Sequence, residues 1–204
     1  MRLLLSLGHA SAAVAVLSSC AGSPNGAPAV PSAVASTAKA HARPVAPQAS
    51  TNRPVSLNGE STCGLEQLRD DALQRINLER ARHQQCGAKS FQPVPPLAWN
   101  DRLFSAAARH SLDMAQRNYF DHATPEGQRA GKRVSDEGFA WRLVGENIAA
   151  GNTTVETAMN SWMHSPDHCS NIMQPEYTDV AVACVSRGPS KWQRYWTMVL
   201  ARRG

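Results

Sequence analysis

The chain has 204 residues and a formal net charge of +5. Its basic residues are spread along the sequence and form no dense Lys/Arg segment with interleaved aromatic residues, so the charge argues against a nucleic-acid partner. All five tryptophans lie within residues 63–204, a length that is normal for one folded domain.

The N-terminus has the pattern of an export signal. Arg2 precedes an apolar run over residues 3–17, which is too short to cross a bilayer as a helix and is typical of a signal peptide. The run ends in Leu-Ser-Ser-Cys at residues 17–20, which resembles the lipobox of bacterial lipoproteins. That resemblance implies removal of residues 1–19 and acylation of Cys20. The alternative is an ordinary secretory signal that contains a cysteine.

The residue after the cysteine bears on localisation. Ala21, rather than an aspartate, follows Cys20, which in Gram-negative cells resembles sorting to the outer membrane. Several acyl chains hold a protein to a bilayer stably, because each buried methylene contributes about 0.8 kcal/mol. We therefore expect an exported protein that is lipid-anchored to the cell envelope, in the outer membrane, at its periplasmic or surface face.

The composition of residues 20–62 predicts a linker that is lipidated at Cys20 and otherwise disordered. The stretch after Cys20 is rich in Pro, Ala, Ser and Gly and has no Phe, Trp or Tyr. Such a segment buries too little apolar surface to offset the entropy of ordering it. We assign the folded domain to residues 63–204 and expect it to be a monomer.

Helical spacing of apolar residues dominates the first part of this domain, and β-like runs close it. The two runs, at residues 180–184 and 195–200, are expected to pair as an antiparallel hairpin. Helices followed by strands predict an α+β fold. Four helices are predicted, the first over residues 65–83 and the others beginning at Asn100 or Asp101, at Pro125 and at Thr154, the last of them ended by Pro166.

The cysteines of the domain predict disulfides. An even number of cysteines in an exported chain is typical of disulfide bonding. Four cysteines allow three pairings, and we favour the one in which each pair brackets a local segment. The predicted bonds are Cys63–Cys86 and Cys169–Cys184.

Three residues have the chemistry of a shared polar site. His122 and His168 carry imidazoles, which suit zinc, and the carboxylate of Glu146 can bind a cation or orient an imidazole. The same set can act as general acid and base. Gly145 permits unusual backbone angles, so a turn there would aim Glu146 inward. The alternative for both histidines is a plain surface position.

Two further residues are weaker candidates. His110 lies on the apolar face of the second helix, where the alternative is a hydrogen-bonded core histidine. Ser165 is a candidate nucleophile, but a serine directly before Pro166 more commonly caps or turns the chain.

Five motifs follow one another in the second half of the chain. They are His-Ser-x-Asp-Met from residue 110, Phe-x-His at 120–122, Gly-Glu-Asn-Ile-Ala at 145–149, Trp-Met-x-Ser-Pro-x-His-x-x-Asn-Ile-Met at 162–173, and Tyr-Thr at 177–178 before the closing strands. In this order they resemble the CAP superfamily, which comprises cysteine-rich secretory proteins, antigen 5 and pathogenesis-related 1 proteins, and especially its bacterial branch. The resemblance covers roughly residues 68–200 and implies a three-layer α-β-α sandwich with an antiparallel sheet, also called the SCP domain.

The family has a cleft with two histidines and two acidic residues that holds zinc in some members. By motif, His122 resembles the first histidine and Glu146 the first glutamate. Ser165 stands where eukaryotic members have the second glutamate, and Glu176 where they have the second histidine, so His168 is expected to replace that histidine in space. No cofactor is required by this pattern, although a divalent cation such as zinc is the one that His122, His168 and Glu146 would hold.

The resemblance gives three functional hypotheses. The first is a binding module whose cleft holds an envelope ligand, namely a lipid, a glycan or a peptide. The second is a hydrolase that uses the same His/Glu cleft, and the third is a structural envelope protein with a vestigial cleft. The sequence has no Gly-x-Ser-x-Gly or His-Glu-x-x-His motif to support an enzyme independently.

Overall fold

The computed structural model describes residues 54–204. The predicted signal peptide, Cys20 and the linker up to residue 53 lie outside the described residues. Within residues 54–204, no helix is both long and apolar enough to cross a membrane.

The domain contains five helices and six strands within the described residues. The helices are α1 (Leu68–Arg80), α2 (Asp101–Arg117), α3 (Ala130–Asp136), α4 (Val155–Met163) and α5 (Pro166–Ile172). The strands are β1 (Gln84–Cys86), β2 (Lys89–Phe91), β3 (Ala98–Trp99), β4 (Trp141–Ala150), β5 (Asp179–Ser186) and β6 (Arg194–Arg203).

Four of the strands form the central sheet, in the order β3-β5-β6-β4. The predicted hairpin is confirmed: β5 and β6 pair antiparallel, with Val182 opposite Met198. Strand β4 pairs antiparallel with β6, whereas the short β3 runs parallel to β5. The sheet is therefore mixed at one edge, and the other edge is β4.

The helices cover both faces of this sheet, so the α+β sandwich has three layers. On one face, α1 and α4 pack against Val180, Val182 and Trp196. On the other face, α2 packs against Ala181 and Ala183. Because both faces of β5 are buried, its sequence is apolar at nearly every position and does not alternate with polar residues.

The predicted helix starts are confirmed at two places. The Asn100 side chain accepts a hydrogen bond from the backbone N–H of Arg102 and caps α2, and Thr154 begins α4 with a reciprocal capping box. The third helix begins later than predicted, because residues 124–128 form a turn in which the N–H of Gly127 donates to the carbonyl of Thr124. Pro166 follows the end of α4 and is also the first residue of α5.

The ordered domain begins before Cys63. The N–H of Val55 donates to the Ser105 hydroxyl over 2.9 Å, and Thr62 forms a parallel bridge with Cys184. Ser61 is buried and accepts a hydrogen bond from the N–H of Cys184. Residues 54–62, which the composition assigned to the linker, thus contact the folded domain, and Thr62 pairs with β5.

Both predicted disulfide pairings are wrong. The bonds are Cys63–Cys184, with the two Cα atoms 5.2 Å apart, and Cys86–Cys169, with the Cα atoms 5.4 Å apart. The first bond fastens the N-terminal segment to β5, and the second fastens the β1–β2 hairpin to α5. Local bracketing failed as a criterion because each cysteine meets a partner that is distant in the sequence and close only in the folded domain.

Reduction of the two disulfides is expected to destabilise the domain by about 2–4 kcal/mol per bond, because each bond closes a long loop of the unfolded chain. Urea unfolding with and without dithiothreitol measures this difference. The double variant Cys86→Ala with Cys169→Ala removes only the bond beside α5, so it measures the contribution of that bond separately. An unfolding midpoint that does not move on reduction would contradict the assignment.

Candidate functional site

Glu146 is the centre of a buried polar network. Its side chain is 3% exposed and projects from β4 toward α2 and α3. One carboxylate oxygen, Oε2, accepts a hydrogen bond from Arg133 Nη2 over 2.6 Å. The other, Oε1, lies 2.9 Å from His122 Nδ1. Both oxygens of the carboxylate are therefore engaged by side chains of the domain.

The balance of forces keeps Glu146 ionised. Burial alone would raise its pKa, but the hydrogen bond from His122 and the positive charge of Arg133 outweigh burial and hold the pKa below its usual value. An ionised carboxylate only accepts hydrogen bonds. His122 Nδ1 must therefore carry the hydrogen, and in the singly protonated ring Nε2 has the free lone pair.

Arg133 holds more than the carboxylate. Its side chain is 7% exposed, and its guanidinium also donates to the carbonyl of Gln128 over 2.7 Å and to the carbonyl of His122 over 3.1 Å. The α2–α3 connection, which carries His122, is thereby fixed to the edge strand. The sequence analysis did not predict a role for Arg133, because an arginine in a helical segment is usually exposed to solvent.

His110 is a core histidine. Its side chain is 0% exposed and its Nε2 lies 3.9 Å from Glu146 Oε1. The same nitrogen lies 3.0 Å from the carbonyl oxygen of Asp121, to which it donates. Burial, the largest effect, lowers the pKa of His110. The residue supports the network from beneath and takes no part in the cleft that His122 and His168 line.

The opposite wall of the site is a chain of amide and hydroxyl hydrogen bonds. The Asn147 amide donates to the carbonyl of His168 over 3.1 Å, and the Asn171 amide donates to Asn147 Oδ1 over 2.9 Å. The Tyr177 hydroxyl donates to Asn171 Oδ1 over 3.0 Å. These bonds fix α5, and with it His168, against β4.

Gly145 leaves room for this wall because it has no side chain. The expected turn at Gly145 is wrong, because the residue lies in the middle of β4 and its φ is not positive. A Cβ at this position would overlap the Tyr177 hydroxyl and the Asn171 amide. The alternation of side chains along the strand, and not a turn, directs Glu146 toward Arg133.

A polar cleft of about 500 Å³ lies between the two walls. It brings together His122, Glu146 and His168, the three residues that the motifs had placed in one site. His122 is 44% exposed at its side chain, whereas His168 is partly buried. Burial, followed by the nearby His122, lowers the pKa of His168. The remaining lining residues are Lys89, Phe91, Asn147, Asp167, Ser170, Asn171 and Gln174.

Ser165 does not line this cleft. It is the residue before α5, where its carbonyl accepts a hydrogen bond from the N–H of Cys169 over 2.9 Å. The serine lies at the turn between α4 and α5, which matches the alternative interpretation that a serine directly before Pro166 caps or turns the chain.

The residues of the cleft do not fit a three-ligand metal site. Within residues 54–204, no group of three or more His, Cys, Asp or Glu side chains is arranged to hold a metal ion. Arg133 is a second, independent obstacle, because its guanidinium neutralises Glu146 and would repel a divalent cation at that carboxylate. The expected set of His122, His168 and Glu146 is therefore a pair of imidazoles beside an internal ion pair.

The fold agrees with comparisons to known proteins. The sequence profile of the CAP family, described as the cysteine-rich secretory protein family, matches residues 73–200. The chain belongs to this family. The uncharacterized protein YkwD of Bacillus subtilis (strain 168) is 32% identical over 120 residues, which are 59% of this chain and 44% of YkwD.

Two further relatives extend this comparison. The uncharacterized membrane protein YlbC of the same organism is 28% identical over 86 residues, 42% of this chain and 25% of YlbC. The crystal structure of an extracellular protein containing a SCP domain from Bacillus anthracis superposes with a TM-score of 0.54 at 25% identity, covering 74% of this chain and 45% of that chain. This CAP chain thus spans less than half the length of each of these relatives.

Replacement of Glu146 by glutamine is expected to reduce the acid sensitivity of the domain. Because the folded pKa of Glu146 lies below its usual value of 4.5, the carboxylate stabilises the fold above that pH, and the contribution is lost as the pH falls through the folded pKa. Urea unfolding from pH 7 to pH 3 measures the slope.

The variant should also be less stable at pH 7 by about 3 kcal/mol, since Arg133 remains buried without its counter-charge. Glu156→Gln, at an exposed position of α4, is the matched control and should keep the wild-type profile. Equal acid slopes in wild type and Glu146→Gln would refute the role of this carboxylate.

Proposed function

We propose that the chain is an exported, lipid-anchored protein whose CAP domain binds a polar ligand of the cell envelope. The lipobox-like residues 17–20 support the anchor at Cys20, and the two disulfides support an oxidising compartment outside the cytoplasm. The similar Bacillus anthracis protein is described as extracellular. The outer membrane is the proposed site of anchoring, because Ala21 follows the cysteine.

The observation that carries the binding function is the preorganised polar cleft between His122 and His168. The Glu146 carboxylate fixes the tautomer of His122, and the amides of Asn147 and Asn171 are already hydrogen-bonded in place. A site that is rigid before binding loses little entropy when a ligand arrives. The cleft therefore suits reversible recognition by hydrogen bonds.

The lining selects among the ligand classes. Phe91 is the one apolar side chain among the residues that line the cleft. A lipid acyl chain needs an apolar surface to contact, whereas a glycan or a peptide offers hydroxyl, amide and carbonyl groups. We propose a glycan or a peptide as the ligand of this domain.

The hydrogen bond between His122 and Glu146 favours a hydrolase as the second candidate. A carboxylate that orients an imidazole is the arrangement by which His122 Nε2 would accept a proton from an attacking water molecule. No serine supplies an evident nucleophile: Ser165 lies outside the cleft, and the Ser170 hydroxyl donates to the carbonyl of Pro166 over 2.7 Å. Water is therefore the nucleophile in this hypothesis.

Isothermal titration of the purified chain with two probes tests the proposal. The probes are chitotetraose and the capped peptide acetyl-Ala-Glu-Ala-Glu-Ala-amide. At least one should bind, and His168→Ala should weaken that binding about tenfold, which corresponds to roughly 1.4 kcal/mol. His164→Ala is the matched control, because His164 is exposed directly after the end of α4 and does not line the cleft.

The same samples separate the hypotheses. Products detected by mass spectrometry, and lost in Glu146→Gln, would favour the hydrolase. Binding without products favours the module. If neither probe binds, or if His168→Ala binds as tightly as wild type, the cleft is not the site of recognition. That result would favour a structural envelope protein with a vestigial cleft.

A further inference from the structure

The exposed edge of the central sheet lies at the floor of the cleft. Strand β4 is the outer strand of the sheet and pairs, within the described residues, with β6 alone. An outer strand presents a row of N–H and C=O groups that are available to another extended chain. Their direction along β4 decides which residues offer them.

Two hydrogen bonds fix that direction. The N–H of Gly151 donates to the carbonyl of Arg194 over 3.0 Å. In the register of β4 and β6, the main-chain N–H and C=O groups of the odd-numbered residues of this segment therefore point toward β6. The carbonyl of Ile148 accepts the Trp162 indole N–H over 3.1 Å from the opposite side. Because peptide groups alternate along a strand, those of Val144 and Glu146 point away from β6.

From Asn147 onward, the outer edge of β4 is covered by other parts of the domain, whereas before Asn147 it is exposed. Asn147, Ile148 and Ala149 are buried, and the Trp162 indole caps the carbonyl of Ile148. In residues 54–204, no hydrogen bond uses the N–H or C=O of Val144 or Glu146. Glu146 is partly exposed although its side chain is only 3% exposed, so its exposed surface is main chain.

Two hollows meet at this open edge. The cleft of about 500 Å³ lies toward α5 and the β1–β2 hairpin. A second hollow of about 320 Å³ continues past His122 toward the start of α3 and shares Glu146 with the cleft. Arg129, Ala130, Gly131, Trp141, Val144 and Gly145 complete its lining. We call the two hollows together the β4 groove.

We infer that the β4 groove binds an extended acidic peptide, which adds to the sheet as a strand beside Val144 and Glu146. This inference rests on the proposed binding function and names its ligand. Main-chain hydrogen bonds from Val144 and Glu146 supply affinity, and the hollows on either side take alternate side chains of the peptide.

The charges of the groove favour an acidic peptide. Arg129 and Lys89 line its two ends, are exposed, and have no ion-pair partner among the described residues. Asp167 is the opposing charge, whereas Glu146 is neutralised by Arg133. A second copy of the chain is a poorer occupant, because its sheet would have to enter between the α2–α3 connection and α5.

Alternate N-methylation of the peptide tests the inference on the purified full chain. Two isomers of acetyl-Ala-Glu-Ala-Glu-Ala-amide are compared by isothermal titration, one methylated on both glutamate nitrogens and one on the nitrogens of the second and third alanines. In a paired strand only every second N–H faces the protein, so one isomer should lose at least about tenfold in affinity and the other should bind like the parent. The parent should also protect the amide hydrogens of Val144 and Glu146 from exchange.

Val144→Pro gives a second measurement, since proline removes an outward N–H and is tolerated on an outer strand. This variant should lose the peptide, and should keep chitotetraose if wild type binds it. Equal binding of the two methylated isomers overturns the inference, as does protection of the edge by dimers of the free chain. If chitotetraose binds and the peptide does not, the strand inference fails while the proposed function stands. If neither binds, both fail.

Discussion

The buried ion pair between Arg133 and Glu146 is the interaction on which the site depends. It lets a carboxylate stay charged at 3% exposure on the outer strand of the sheet. A charge in that position is costly unless it is paired and fully hydrogen-bonded. The pair meets this condition because His122 engages the remaining carboxylate oxygen and Arg133 also donates to two backbone carbonyls of the α2–α3 connection.

This ion pair changes what the cleft can do. A guanidinium neutralises the carboxylate of Glu146 from within the fold, and the two imidazoles of His122 and His168 line the cleft beside this ion pair. The cleft is thus lined by hydrogen-bonding side chains and lies beside the outer strand of the sheet, which supports the proposed binding function.

How far the sequence could predict this arrangement depended on the kind of interaction. His122, Glu146 and His168 were placed in one site by their motifs, and the helix caps at Asn100 and Thr154 were predicted by local hydrogen-bonding rules. Strand β4 was missed because Gly145 and Glu146 interrupt its apolar pattern and suggested a turn. The reason for the glycine is the space taken by Tyr177 and Asn171, which belong to another part of the chain.

The disulfide pairing and Arg133 were missed for a related reason. Each depends on which distant segments the fold brings together, and no local pattern records that. Cys63 meets Cys184 because the N-terminal segment lies beside β5, and Arg133 is buried because α3 packs over the outer strand. A buried arginine has no sequence signature of its own, since it is recognised only by the carboxylate and carbonyls that surround it.

The tautomer of His122 is the most direct measure of this account. Nitrogen-15 NMR of the imidazole ring distinguishes a hydrogen on Nδ1 from one on Nε2. At neutral pH the His122 ring should carry its hydrogen on Nδ1 when singly protonated, and replacement of Glu146 by glutamine should remove that preference. A ring that carries its hydrogen on Nε2 in the wild-type protein would contradict the network of Arg133, Glu146 and His122.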